Sequence, residues 1–166
     1  MHAVEADPTL SKAAAYRQIH AHLAALFAGE PDKIANAANM CALLYQMLPG
    51  VNWAGFYFLQ GSELVLGPFQ GKVACVRIAL GRGVCGTAAE RREILVVPNV
   101  HEFPGHIACD AASRSEIVVP LIQHGRLLGV LDLDSPELAR FDDEDRDGLQ
   151  AAVNLFLKSS RLSMPA

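Results

Sequence analysis

The chain has 166 residues, of which 51% are hydrophobic and 19% are charged, and its formal net charge is −4. This length and composition are typical of one globular domain, here residues 1–166, and exclude an intrinsically disordered chain. Acidic and basic residues are interspersed without a basic stripe, so nucleic acid is not expected as a partner.

The N-terminal segment shows no targeting or membrane signal. It has no basic start followed by an apolar run, and no apolar stretch in the chain approaches the ~20 residues that a membrane helix requires. We therefore expect no signal peptide, no membrane association and a cytoplasmic location. Clustered cysteines in that compartment more often serve catalysis, metal binding or redox sensing than structure.

The hydrophobic pattern predicts two helices, then strands, then a closing helix. Apolar residues recur at helical spacing over residues 9–29, 30–50 and 141–162. Alternation and turn residues predict strands at 51–59, 62–69, 74–80, 93–97, 115–122 and 127–135, and a short helix at 83–92. This order predicts an α+β fold in which helices pack on a mostly antiparallel sheet.

The cysteines occupy different environments in the predicted fold. Cys41 lies in a helix between apolar residues and is expected to be a core residue. Cys85 follows a glycine turn that opens a helix, where unpaired N–H groups would lower its pKa. Cys109 lies in the long connection 98–114, where His106 or Arg114 could help to ionise it. The alternative is that Cys75, Cys85 and Cys109 are three unrelated small residues.

Metal-binding and phosphatase motifs are poorly matched. The chain has no C-x-x-C pair, and His106 and Cys109 make only a single H-x-x-C. Cys109 and Arg114 are separated by four residues without a glycine, which argues against a phosphate cradle. No metal and no cofactor are therefore expected.

Aromatic residues flank a glycine on the first predicted strand. Trp53, Gly55 and Tyr57 share one face because side chains alternate along a strand. The gap above Gly55 could take a thioether or methyl group, since sulfur against aromatic rings gains roughly 0.3–1.5 kcal/mol. Ordinary core packing explains the same pattern.

Carboxylates end the last predicted strand. Alternation predicts that Leu128, Val130, Asp132 and Asp134 share a face that is first apolar and then acidic. This arrangement suggests a polar pocket at one end of the sheet. Alternatively, Asp134 only caps the turn that follows, which leaves Asp132 unexplained. Glu116 occupies a similar position at the start of the preceding strand.

Strand register decides whether these acids meet. A two-residue loop at His124–Gly125 with regular pairing puts Glu116 opposite Leu133, facing away from the aspartates. Convergence requires an odd offset, from a three-residue loop or from a bulge near Gly129. The sequence alone leaves both alternatives open.

The motifs "NWAGFY", "GVCGTAAERRE", "HIACDAASRSEIVVPL" and "GVLDLDSP" resemble the free methionine-(R)-sulfoxide reductases, a family of stand-alone GAF domains. The resemblance extends over residues 52–142 and includes the spacing of three cysteines. It implies a six-stranded antiparallel sheet with helices on its faces, usually as a homodimer. It also implies the odd register offset.

The resemblance further implies a role for each matched residue. Cys109 would be the attacking thiolate, Cys85 the resolving thiol that forms a disulfide with it, and Cys75 an auxiliary thiol. The implied substrate-site residues are Trp53, Tyr57, Glu116, Asp132 and Asp134. The implied substrate is free methionine-(R)-sulfoxide, and thioredoxin is the expected reductant in a response to oxidative stress.

The chemistry of such a reaction requires an acid. A sulfoxide oxygen leaves poorly until it is protonated, and packed carboxylates retain a proton because they cannot all ionise. We expect Glu116 and Asp134 to share this proton and Asp132 to pair with the substrate ammonium. The competing hypothesis is a GAF-type sensor that binds a small ligand or a redox signal without catalysis.

Overall fold

The computed structural model describes residues 4–107 and 111–162. Within these residues the chain forms four α-helices, six β-strands and one 3-10 helix. The helices are α1 Lys12–Phe27, α2 Lys33–Met47, α3 Gly83–Arg91 and α4 Asp143–Ser159, with the 3-10 helix at Val100–Glu102. The strands are β1 Trp53–Gln60, β2 Glu63–Gly71, β3 Arg77–Ala79, β4 Leu95–Val97, β5 Ser115–Gln123 and β6 Arg126–Ser135.

Side-chain caps set where three of the helices begin. Ser11 accepts a hydrogen bond from the Ala14 N–H, and Asp32 accepts one from the Ala35 N–H. Asp142 and Asp145 form a capping box at the start of α4. The four predicted helices are confirmed. The three capped helices begin two to three residues later than predicted because the caps themselves are not helical, and α3 begins at Gly83 as predicted. No helix in the described ranges is long and apolar enough to span a bilayer.

The strands form one antiparallel sheet in the order β3-β2-β1-β6-β5-β4. The predicted α+β fold with six strands is therefore confirmed. Strand β3 is shorter than expected, because residues 72–76 precede it as an irregular segment. There the Lys72 and Cys75 carbonyls accept hydrogen bonds from the Trp53 and Tyr57 side chains instead of from a neighbouring strand.

The two faces of the sheet carry different layers. One face packs against α2 and α4, with α1 packed on these two helices, and buries a large apolar core that includes Phe56, Leu131 and Phe156. The other face is covered by α3 and the 72–76 segment and buries a smaller cluster that includes Trp53 and Tyr57. This second layer, on the α3 side of the sheet, is where the candidate site lies.

A bulge in the β5–β6 hairpin sets the register of the acidic residues. The turn is the two-residue loop His124–Gly125, yet Leu121 pairs with Gly129 and Ile122 pairs with Leu127, so Leu128 is the extra residue. The pairing is therefore offset by one residue from a regular hairpin, as convergence of the acids requires. The predicted placement of Leu128 with Asp132 is wrong, because the bulge turns Leu128 toward the opposite core.

Candidate active site

The bulge brings the predicted acids together at one end of the sheet. Glu116 pairs directly with Asp134 across β5 and β6, and Asp132 lies on the same face two residues earlier on β6. On the other side of β6, Trp53 pairs with Asp134. Glu116 and Asp132 are each only 6% exposed, while Asp134 is half-buried. The structure thus unites three carboxylates that are far apart in the sequence.

Burial and mutual repulsion change the acidity of this cluster. Desolvation, followed by the neighbouring charge of Asp132, raises the pKa of Glu116 well above its usual range. Desolvation and the charge of Asp134 raise the pKa of Asp132 in the same way. Carboxyl groups with raised pKa values retain protons near neutral pH. The cluster can therefore act as an acid.

The Cys85 thiol lies against these carboxylates. Helix α3 packs over β5 and β6 and directs the Cys85 Sγ to 3.8 Å from Glu116 Oε1. The expected lowering of the Cys85 pKa is wrong: burial and then the charges of Asp132, Glu116 and Asp134 raise it. The effect of a helix N-terminus is smaller here than desolvation beside anions. Cys85 is therefore a protonated thiol that donates a hydrogen bond to Glu116.

An aromatic wall borders the acids. The rings of Trp53 and Tyr57 stack with centroids 6.0 Å apart, and Phe69 stacks on Trp53 at 5.3 Å. The predicted vacancy above Gly55 is wrong, because a Cβ there would collide with the Trp53 ring and Phe69. Gly55 makes room for the tryptophan of its own strand. The ring faces, rather than a gap between them, are what a ligand can contact.

The acids, the Cys85 thiol and the aromatic rings line one cavity that is partly open to solvent. Small-molecule sites commonly combine apolar walls with a few convergent polar groups in this way. Two buried oxygens lining it, Asp132 Oδ1 and Ser113 Oγ, have no hydrogen-bond partner among the described residues. Buried polar atoms are almost always paired, so these oxygens indicate a polar ligand.

Sequence analysis missed several residues of the cavity wall, among them Ser113 and His106. Ser113 gave no signal beyond its place in a serine-containing loop. His106 was considered only as a neighbour of Cys109, yet it lines the cavity beside Ile107. Burial and then the nearby His101 lower the His106 pKa, and the two imidazole rings lie 6.3 Å apart. His106 therefore contributes a mainly neutral ring to the wall at pH 7.

Comparison with known proteins agrees with this geometry. The sequence profile of the GAF domain matches residues 22–157. The free methionine-R-sulfoxide reductase of Escherichia coli is 54% identical over 144 residues, which cover 87% of each chain. The chain belongs to the free methionine-R-sulfoxide reductase family.

Two further relatives cover most of the chain. The free methionine-R-sulfoxide reductase of Saccharomyces cerevisiae is 46% identical over 139 residues, covering 79% of this chain and 77% of the yeast protein. The enzyme of Neisseria meningitidis, solved in complex with its substrate, superposes with a TM-score of 0.90 at 45% identity, covering 96% of this chain and 95% of that one. The predicted family, fold and enzymatic character are thereby confirmed.

The described cysteines of this reductase-family chain differ in oxidation state. Cys75 is disulfide-bonded, whereas Cys85 and Cys41 are free thiols. Cys41 is a core residue as predicted: it is fully buried, and its thiol donates to the Pro68 carbonyl. Burial raises the Cys41 pKa to about 12, which excludes a thiolate there at neutral pH. Cys109, the predicted nucleophile, lies outside the described residues.

One group of described residues in the reductase fold has the geometry for metal binding. The Cys85 sulfur and one oxygen each from Glu116 and Asp132 all lie within 4.8 Å of one another. A thiolate and two carboxylates are suitable ligands for zinc. The same atoms border the cavity, so a metal there would compete with any substrate.

Proposed function

We propose that the protein reduces free L-methionine-(R)-sulfoxide to methionine, using Cys109 as the nucleophile and a carboxyl group as the acid. The observation that carries the proposal is that Glu116, Asp132 and Asp134 line the same cavity as Trp53 and Tyr57. Similarity to the reductases from Escherichia coli and Neisseria meningitidis supports the choice of substrate.

The ends of the substrate match different parts of the cavity. The S-methyl group packs on the faces of Trp53 and Tyr57, where contacts between sulfur and aromatic rings are favourable. The ammonium pairs with Asp132, whose buried Oδ1 has no partner among the described residues. The carboxylate of the substrate requires hydrogen-bond donors. We assign these to the Ser113 hydroxyl and to backbone N–H groups of the 98–114 connection.

The acid acts on the sulfoxide oxygen. Glu116 and Asp134 pair directly across the sheet, and the proton they hold is donated to that oxygen as the Cys109 thiolate attacks sulfur. A bond forms between the Cys109 sulfur and the substrate sulfur as the S–O bond breaks, and the oxygen takes up a second proton and leaves as water. A water molecule then attacks the Cys109 sulfur and returns one proton to the acid cluster. This breaks the new S–S bond, releases methionine and leaves Cys109 as a sulfenic acid. The sulfenic acid then condenses with a second thiol, which releases water and forms a disulfide.

Two thiols are candidates for the resolving role. The assignment from the family resemblance gives this role to Cys85 and an auxiliary role to Cys75. The disulfide at Cys75, together with the free and buried Cys85 thiol beside Glu116, supports the opposite assignment. We propose that Cys75 closes the disulfide with Cys109 and that Cys85 remains a proton-bearing neighbour of the acid cluster.

Specificity for the free amino acid follows from the charge of the cavity. A peptide-bound methionine sulfoxide has no ammonium and would leave Asp132 buried without a partner. A buried carboxylate without a partner costs on the order of 1–3 kcal/mol or more of binding free energy. As part of the same proposal, the protein works in the cytoplasm as a homodimer and is recycled by thioredoxin, which reopens the disulfide by exchange.

The deciding experiment is incubation with racemic methionine sulfoxide and dithiothreitol, with the two epimers separated by chromatography. We expect half of the sulfoxide, the R epimer, to disappear. Loss of both epimers contradicts the proposed stereospecificity, and loss of neither favours a non-catalytic ligand sensor. Peptide-bound methionine sulfoxide is the matched control and should remain intact.

Cysteine variants test the assigned roles. Cys109→Ser should abolish turnover with any reductant, because no other thiol is proposed to attack the sulfoxide. With thioredoxin as reductant, Cys75→Ser should stop after about one turnover per subunit while Cys85→Ser continues. The reverse pattern would restore the resolving role to Cys85. Cys41→Ser is the control and should behave as the wild type.

A further inference from the structure

We propose that the exposed valines on either side of Cys75 form the docking surface for the dithiol protein that recycles this enzyme. The inference rests on the function proposed above and identifies where its reductant binds. Val73 is 89% exposed and Val76 is 62% exposed, while Cys75 between them is half-buried and disulfide-bonded. We call Val73, Cys75 and Val76 the recycling surface.

The recycling surface is anchored from beneath. The Trp53 indole N–H donates to the Lys72 carbonyl at 3.0 Å, and the Tyr57 hydroxyl donates to the Cys75 carbonyl at 2.8 Å. The Leu66 N–H donates to the Val76 carbonyl at 2.9 Å. These bonds fix the backbone on both sides of the disulfide. The apolar side chains are thus presented to solvent by a fixed segment that is tied to the aromatic wall of the active site.

Reduction of the Cys75 disulfide requires the reductant protein to contact the recycling surface. A reductant thiolate must approach a disulfide sulfur to bonding distance, so the side chains beside Cys75 lie beneath any protein that reduces its disulfide. Valines exposed to this extent gain free energy when a partner covers them. The surface therefore fits a partner with apolar residues around its own dithiol.

Charge also favours one kind of partner. Exposed basic residues lie at the start of the same segment, at Lys72, and beyond its end, at Arg82. Arg77 also follows the segment, and it forms an ion pair with Glu63 at 3.2 Å. The whole chain carries a formal charge of −4, so this basic edge contrasts with the rest of the molecule. Opposite charge speeds association, and the occupant that fits is an acidic dithiol protein.

Disulfide exchange at this surface balances in atoms and electrons. The first reductant thiolate attacks the Cys75 sulfur, forms a mixed disulfide and releases the former partner of Cys75 as a thiolate that takes up a proton. The second reductant thiolate then attacks its own neighbour in the mixed disulfide and frees Cys75. The reductant loses two electrons and becomes a disulfide, and the enzyme gains two thiols.

The test is to introduce a charge at Val76, which does not line the cavity, and to compare two reductants. With a thioredoxin, thioredoxin reductase and NADPH system, Val76→Asp should raise the KM for thioredoxin about tenfold. With dithiothreitol, which needs no docking surface, the rate should be unchanged. Ile34→Asp is the matched control, since Ile34 is 50% exposed on α2 at the opposite face of the sheet, and it should alter neither rate.

Each other outcome overturns the proposal. An unchanged KM for thioredoxin, or an equal loss of rate with dithiothreitol, means that Val76 does not serve docking. A changed elution volume in gel filtration means that the surface joins copies of this chain. If Val76→Asp does not fold, Val76→Ser replaces it, with the same sign and a smaller expected rise in KM.

A measurement without sulfoxide separates this proposal from the proposed function. Thioredoxin is mixed with the oxidised enzyme, and the release of thiols is followed by labelling. We expect this second-order rate to fall about tenfold in Val76→Asp and to fall with added salt in the wild type. If the wild type reduces no sulfoxide but these rates still differ, the proposed function fails and the docking surface stands.

Discussion

The two faces of the sheet bury carboxylates in opposite ways. On the core side, Asp145 is fully buried and paired: Lys12 lies at 2.8 Å, Arg140 at 3.4 Å, and the Tyr16 hydroxyl donates to it at 2.7 Å. On the cavity side, Glu116 and Asp132 are nearly as buried, yet neither forms an ion pair with a described residue.

We propose that the contrast separates a structural acid from acids that take part in the reaction. Asp145 joins α1 to α4, and its charge is balanced within the fold. The acids of the cavity are stabilised by protons and by the partners that a ligand supplies, because burial makes an unpaired charge costly. Natural proteins tolerate such destabilising clusters chiefly where function requires them. The same substitution, from acid to amide, should therefore have opposite effects on the two faces.

The largest effect is expected at Glu116. Glu116→Gln keeps the shape of the side chain but removes the proton donor, so kcat/KM for methionine-(R)-sulfoxide should fall by about 10²–10⁴-fold. The free energy of unfolding at pH 7 should stay the same or rise, since the neutral amide, unlike Glu116, does not have to take up a proton when the chain folds. Steady-state kinetics and urea denaturation measure the two quantities. Retained activity would exclude Glu116 as the acid.

On the core side, Asp145→Asn should act on stability instead. The change leaves Lys12 and Arg140 without their buried counter-charge, which should lower the free energy of unfolding by about 3 kcal/mol. Below the denaturation transition, kcat/KM should stay within about twofold of the wild type. If Asp145→Asn impaired catalysis as strongly as Glu116→Gln, the functional distinction between the two faces would be wrong.

A third substitution tests the bulge that aligns the acids. Gly129 has a φ of 154°, and a Cβ there would collide with the Tyr57 carbonyl oxygen. Gly129→Ala should therefore cost about 1–3 kcal/mol in the free energy of unfolding and should lower activity, because β1 moves relative to the acids of β6. Gly61→Ala is the control for positive φ, since its φ is 62° and nothing crowds its Cβ. Activity should fall only in Gly129→Ala.

The smallest effect is a change in pH dependence. The pKa values of Glu116 and Asp132 are raised in the folded protein, so above about pH 4.5 the unfolded chain releases protons that the folded protein keeps. The free energy of unfolding should therefore decrease as pH rises from about 5, by up to about 1.4 kcal/mol per pH unit for each retained proton. Glu116→Gln should reduce this slope.

Urea denaturation between pH 5 and pH 8 measures the slope, and Glu63→Gln provides an exposed control. Equal slopes in the wild type and in Glu116→Gln would mean that Glu116 is ionised throughout this range. The acid would then have to be Asp132 or Asp134, and the corresponding asparagine variants would show which one.

Much of the molecule could be predicted because the relevant physics is local. The helices follow from apolar periodicity and caps such as Ser11 and Asp32, which act within a few residues of the chain. The aromatic pair Trp53 and Tyr57 and the acid Glu116 were identified from motifs and alternation, and all three line the cavity. Cys41 was predicted as a core residue for the same reason.

The failed predictions depend on contacts between distant segments. The Cys85 pKa was predicted to fall because of its helix N-terminus, but carboxylates from β5 and β6 raise it. The space above Gly55 was predicted to be open, but Trp53 and Phe69 fill it. In both cases the deciding neighbours come from other strands or from a side-chain rotamer that periodicity does not describe.

By itself, the sequence determined the order of the elements, the family and the set of acids, rings and thiols available for chemistry. Only the tertiary structure decided that Glu116 lies opposite Asp134, since one extra residue at Leu128 shifts the pairing and local propensity does not reveal it. The tertiary structure also decided which buried acids form ion pairs within the fold and which face the cavity, where a ligand can bind them. A charge in the interior depends on neighbours that only folding brings within reach.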